Sequence, residues 1–134
     1  MSVTGSARAE KPDLSGLRVL LVEDEYFLAD DLCQVLQRCG AEVVGPVPSL
    51  AKAMPLAENE DLTCAILDIN LRGESGLVIA EALHRRNVPF IYTTGYRNTT
   101  IAEALKGAAH LEKPFRPEAL LDAVAEIARR NSIL

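Results

Sequence analysis

No stretch of this chain approaches the roughly 18 uninterrupted apolar residues that a membrane-spanning helix needs, so a helical span is excluded on length. The N-terminal segment MSVTGSARAEKPDLSG lacks the apolar centre of a secretory signal and reads as a disordered tail over residues 1–15. Cysteine is scarce. Cys33, Cys39 and Cys64 form an odd set with no CxxC pair and no ligand-like spacing. That is the pattern of small apolar fillers in a reducing cytosol, and it predicts a cytoplasmic protein. Basic residues are also in deficit: 14 Lys and Arg against 19 Asp and Glu leave a net charge of −5. Such a balance argues against nucleic acid or an anionic membrane as the main partner. Linkers and low-complexity segments are missing too, and no second domain is read after Arg130.

What is present is ordinary for a soluble domain: 134 residues, 49% hydrophobic and 25% charged. One domain over residues 16–131 is long enough to bury a good core. Its pattern alternates between strand-like and helix-like segments. RVLLV (Arg18–Val22) is an apolar run too short for a helix and suited to a strand buried on both faces. Tyr26–Cys39 then places Leu28, Leu32, Val35, Leu36 and Cys39 on one helical stripe, with Gly40 as the stop. Ala41–Gly45 reads as a second strand, and Ser49 caps a short helix over Leu50–Glu58 that Pro55 weakens. Thr63–Leu67 is the third strand, followed by a turn and a helix over Gly76–Arg86. Pro89–Thr93 is the fourth strand and Asn98–Lys106 a short, weak helix. Ala108–Leu111 is the fifth strand, and Pro117–Arg130 the last helix, with Pro117 and Glu118 favourably in its first turn. Five such βα units predict an α/β fold with parallel strands, right-handed crossovers and helices on both faces.

In such a sheet, ligands collect at the carboxyl ends of the strands. Glu23 and Asp24 follow the first strand, Asp68 the third, Thr94 the fourth and Lys113 the fifth, so all are expected to converge. Clustered carboxylates repel one another and raise their own pKa values unless a cation compensates. Oxygen-only ligands select a hard ion, Mg²⁺ above all. An aspartate can take a phosphoryl group as an acyl phosphate, which makes Asp68 the candidate nucleophile. Lys113 supplies an ammonium and Thr94 a hydroxyl to the transferred group. Singly, each has a plainer reading as a solvated acid, a solvated lysine or a β-forming threonine; their weight comes from position.

These residues carry a family resemblance. LVEDE, ILDINLRGESG, the TTG after the fourth strand and EKPF, in that order, resemble the receiver domain of two-component response regulators over about Gly16–Arg130. The resemblance implies a flavodoxin-like, doubly wound (βα)5 fold with strand order 2-1-3-4-5. It implies Asp68 as phosphoacceptor, Asp24 as a direct Mg²⁺ ligand, Glu23 as a ligand through water and the Asn70 backbone carbonyl completing the set. Thr94 would bind the phosphoryl group and move on activation, with Gly95 leaving room beside it. Lys113 would pair with the phosphoryl oxygens, and its bond to Pro114 would be cis. TTGYRN further resembles a subset of stand-alone receivers, so a single-domain protein is implied.

Two features depart from the common pattern. His110 stands where many receivers carry a switch Tyr or Phe, which leaves Tyr96 as the alternative moving aromatic, and the fourth helix is thin. His84, in ALHRR, reads as a solvated helix residue rather than a phosphorylation site. The expected partner is a sensor histidine kinase or phosphotransfer protein, with output through protein contacts or as a phosphate sink; receivers often dimerise, so a homodimer is one expected state. A phosphate-independent adaptor is the first alternative. A small aspartate-nucleophile phosphatase is the second, and it suffers from Asn70, since such enzymes commonly place an acid there to protonate the leaving group. The chain is therefore read as a signalling protein, not an enzyme beyond any self-directed phosphoryl chemistry.

Overall fold

The alternation in the sequence is realised as a five-stranded parallel sheet between two layers of helix. The computed structural model describes residues 11–95 and 105–131. β1 (Arg18–Val22) leads into α1 (Tyr26–Arg38), and β2 (Glu42–Val47) into α2 (Leu50–Asn59). β3 (Cys64–Asp68) leads into a small hairpin of β4 (Asn70–Leu71) and β5 (Glu74–Ser75). Then come α3 (Leu77–Arg85), β6 (Phe90–Thr94), β7 (Ala109–Glu112) and α4 (Pro117–Arg130). The large sheet runs β2-β1-β3-β6-β7 with every pairing parallel, which is the expected flavodoxin-like order. For residues 98–104 the expected fourth helix lies outside the described residues; Leu105–Gly107 form a turn in which the Ala108 N–H donates to the Leu105 carbonyl at 3.1 Å. Among the described residues, no helix is long and apolar enough to cross a membrane.

Alternation along the strands divides the core in two. Val19 and Leu21 of β1, Cys64 and Ile66 of β3 and Ile91 of β6 face α1 and α4, where Leu32, Leu36, Leu120 and Val124 meet them. Leu20, Val22, Ala65, Leu67 and Tyr92 face α2 and α3, against Ala53, Ala57, Ile79 and Leu83. Cys39 and Cys64 are buried in the first cluster and Cys33 packs against it, all three as free thiols. Because the strand period is two, this parity decides which way each strand-end side chain points.

Local chemistry sets the element ends. Gly40 takes φ +98°, a left-handed conformation that ends α1, and an added Cβ there would fall 2.6 Å from Ser15 Oγ. The Ser49 hydroxyl caps α2 by accepting from the Lys52 N–H at 3.3 Å, and α2 runs through Pro55 to Asn59. β2 continues two residues past the expected end at Gly45. A register shift there, with Gly45 at φ +101° and a cis bond to Pro46, lets Val47 rejoin Val22. β2 is an edge strand, where a proline without an N–H donor is tolerated.

The packed domain also begins earlier than the sequence implies. Leu14, assigned above to the tail, is fully buried in the first cluster, and its N–H donates to the Cys39 carbonyl at 2.7 Å. Ser15 and Asp13 close this turn, the Asp13 carboxylate accepting from both the backbone and the hydroxyl of Ser15. One leucine among polar neighbours carries no periodicity, so its burial leaves no trace in the sequence. Leu14→Ala should cost about 2–4 kcal/mol in denaturant unfolding, as for other large-to-small core substitutions. A loss under about 0.5 kcal/mol, the surface range, would return Leu14 to the tail.

Candidate functional site

Parity places Glu23, Asp68 and Lys113 on the α1/α4 side of the sheet, at its carboxyl edge. Glu23 directly follows β1 and is 3% exposed, and Asp68 ends β3 and is also 3% exposed. Lys113 follows β7 and reaches over the end of β6 to both of them. Its Nζ donates to Asp68 Oδ2 at 2.9 Å, to Glu23 Oε2 at 3.0 Å and to Glu25 Oε1 at 2.9 Å. An ammonium has three N–H donors, so this one is fully used. The second Asp68 oxygen accepts from the Asn70 N–H at 2.9 Å, and Glu23 Oε2 also accepts from the Glu25 N–H at 3.0 Å.

The hairpin after Asp68 is what presents that N–H. Asn70 pairs with Ser75 and Leu71 with Glu74 around the two-residue turn Arg72–Gly73, both at positive φ, 53° and 88°. The Asn70 side-chain oxygen accepts from the Gly73 N–H at 3.0 Å and braces the turn. Gly76 closes it: its N–H donates to the Ile69 carbonyl at 2.6 Å, and an added Cβ would meet the Asp68 carbonyl at 2.7 Å. The glycines of NLRGESG thus hold the backbone against Asp68.

Burial is the largest influence on the acids. It pushes Glu23 up to about 7, against hydrogen bonds from the Glu25 N–H and Lys113. It also raises Asp68, with Lys113 and the Asn70 N–H opposing. For Lys113, burial works against the charged form, but hydrogen bonds to Glu25, Asp68 and Glu23 outweigh it and hold the ammonium above the ordinary lysine range. The carboxylates of Glu23, Asp24 and Glu25 lie within 4.8 Å of one another. Arg72 stands near Asp24, Nε to Oδ2 at 3.9 Å, on an exposed side chain. A crowded, oxygen-only donor set of this kind fits a small hard divalent cation such as Mg²⁺.

Thr94 has the opposite parity. Its hydroxyl is hydrogen-bonded to His110 Nε2 at 2.8 Å, and the His110 ring stacks on Tyr92 at 4.6 Å and 18°. Thr93 shares the parity of Asp68 and pairs with it in register; its hydroxyl is buried and has no partner among the described residues. A Cβ at Gly95 would meet nothing within 4 Å among the described residues. The Lys113–Pro114 bond is cis, as expected, and His84 is exposed on α3. Tyr96 lies outside the described residues. Glu25 is the site residue that the sequence reading passed over. It stands third in the acidic run after β1, but nothing in that run tells a lysine partner from a solvated acid.

The chain matches a family model described as the response regulator receiver domain over residues 19–125. It is 36% identical over 119 residues to nodulation protein W of Bradyrhizobium diazoefficiens, covering 84% of this chain and 52% of that protein. With the transcriptional regulatory protein PdtaR of Mycobacterium tuberculosis it shares 31% identity over 111 residues, covering 80% of this chain and 54% of that one. It spans about half the length of these curated relatives. Among solved structures it resembles a CheY-like response regulator receiver domain protein from Methanospirillum hungatei, with TM-score 0.79, 28% identity and coverage of 87% and 96% of the two chains.

A folded pKa above the unfolded one means that the native state holds its proton more tightly. The contribution of Glu23 to stability is therefore greatest below its ordinary pKa of 4.5 and declines as pH rises to about 7. Without divalent cations, the melting temperature of the parent protein should fall relative to that of Glu23→Gln between those two pH values. A flat or rising difference would contradict the burial-driven shift.

Proposed function

The chain belongs to the response regulator receiver family, and from that footing we propose that Asp68 accepts a phosphoryl group from a phosphohistidine protein in a Mg²⁺-dependent reaction. Receiver domains are signalling domains rather than enzymes in general, and response regulators imply a histidine kinase or phosphotransfer protein as partner. They generally use Mg²⁺ at an acidic pocket.

The observation that carries the assignment is the Lys113 ammonium 2.9 Å from an Asp68 oxygen, among further carboxylates at the open end of the sheet. An Asp68 oxygen attacks phosphorus as the donor's N–P bond breaks, and the acyl phosphate forms. Transfer of this kind asks the protein for position and charge more than for covalent help. Lys113, already aimed at Asp68, follows the charge onto the phosphoryl oxygens. Asp24, Asp68, the Asn70 carbonyl and, through water, Glu23 would hold the metal. When bound, Mg²⁺ offsets the negative charge of the carboxylates and the phosphoryl group together. Glu25 keeps Lys113 oriented from the solvent side, and the Thr94 hydroxyl serves a phosphoryl oxygen, with Gly95 leaving it space. Output runs through protein contacts or as a phosphate sink, in the cytoplasm.

The phosphatase reading gains no support. Asn70 has no acidic proton to give, and its side chain is engaged with the Gly73 N–H. The adaptor reading differs in one outcome only, whether Asp68 gains phosphate.

With a phosphorylated histidine donor and Mg²⁺, intact-mass measurement should find one phosphoryl group added to the protein. None should appear on Asp68→Asn or with a metal chelator present. Lys113→Ala should slow transfer by ~100-fold, the scale for losing one preorganised charge partner. An unmodified parent protein would favour the adaptor, and an equally modified Asp68→Asn would move the acceptor elsewhere.

A further inference from the structure

A hydroxyl that serves a phosphoryl group must have its one proton free to give, because phosphoryl oxygens are acceptors. The Thr94 hydroxyl already has a partner, His110 Nε2, at 2.8 Å. A hydroxyl holds one donor and two acceptor positions, and an imidazole nitrogen is a donor or an acceptor according to its tautomer. If Nε2 is bare, it takes the Thr94 proton and leaves the hydroxyl nothing to donate. If Nε2 carries hydrogen, it donates to Thr94 Oγ and leaves that proton for a second acceptor.

Among the described residues the choice concerns one pair of atoms, Thr94 Oγ and His110 Nε2. Tyr92 is buried and stacks on the imidazole of the exposed His110, ring centres 4.6 Å apart at 18°. Tyr92 and His110 are partners in the β6–β7 register, and the Lys113 N–H donates to the Thr94 carbonyl at 2.8 Å. The backbone is thus held in register, the ring has Tyr92 on one face, and Thr94 itself is only 6% exposed. No other side chain is hydrogen-bonded to the Thr94 hydroxyl among the described residues.

We propose that His110 is a positioning residue for Thr94. Its Nε2–H donates to Thr94 Oγ and turns the hydroxyl proton toward the phosphoryl group on Asp68. The proposal rests on the phosphoacceptor reading of Asp68 and adds to it a residue that touches no phosphoryl atom.

Nitrogen NMR of the His110 ring tests the first half without any phosphoryl group. A protonated Nε2 supports the proposal, and a bare Nε2 overturns it. The second half uses beryllofluoride with Mg²⁺ as a phosphoryl stand-in on the parent protein and variants. His110→Phe keeps a ring on Tyr92 but loses the donor, and it should bind beryllofluoride roughly tenfold more weakly, as for one hydrogen bond to a charged acceptor. His110→Gln, with an amide donor, should recover most of the loss. In a Thr94→Val background, His110→Phe should have no further effect. Unchanged binding by His110→Phe, or the full loss persisting without the Thr94 hydroxyl, overturns the proposal while leaving Asp68 as acceptor. A parent protein that does not bind beryllofluoride overturns both.

Discussion

One ammonium holds the carboxyl edge of this sheet together. Lys113 leaves β7 and passes over the end of β6 to reach Asp68 on β3 and Glu23 on β1, and Glu25 approaches from α1. Three strands, β1, β3 and β7, are tied at one point. Without that charge, two almost fully buried carboxyl groups would stand uncompensated at one sheet edge. With it, three carboxylates still share one positive charge, and Asp24 adds a fourth acid nearby. That excess of acid over base is the feature on which the proposed cation site rests. The proposed phosphoryl transfer would use that same imbalance, since an incoming phosphoryl group brings more negative charge.

Parity is the second constraint. Strand alternation sends Glu23, Asp68 and Lys113 to the α1/α4 side and Thr94 with His110 to the other. Asp68 and Lys113 meet directly. The hydroxyl arrives from the far side, already bonded to a ring stacked on Tyr92. The site therefore has a charged half on one side of the sheet and a hydroxyl half on the other.

Much of this was legible in the sequence, because apolar runs bounded by glycine, proline and acids mark parallel strands cleanly. All five strands and four of the helices lie within two residues of their expected bounds, and Asp68 and Lys113 meet as the strand-end argument required. The exceptions share a physical cause, since each depends on contacts distant in the chain. Leu14 is buried by the end of α1, β2 is prolonged by a bulge against Val22, and Glu25 finds Lys113 88 residues away. The hairpin at Asn70–Ser75 is two residues on each side, too short to show alternation, although its Arg-Gly turn pair is visible afterwards. His110 was singled out as the residue in the switch position, but its bond to Thr94 belongs to register and cannot be read from spacing.

The most direct test of the account is chemical mapping of the phosphorylated carboxylate. Borohydride reduces an acyl phosphate of aspartate to homoserine, a change readable by peptide mass spectrometry. After transfer from a phosphohistidine donor with Mg²⁺, homoserine should appear at residue 68 and at no other acid. Homoserine at Asp24, the reduced product of a glutamyl phosphate at Glu23 or Glu25, or no reduced residue at all would contradict the assignment of Asp68 as the acceptor that Lys113 serves.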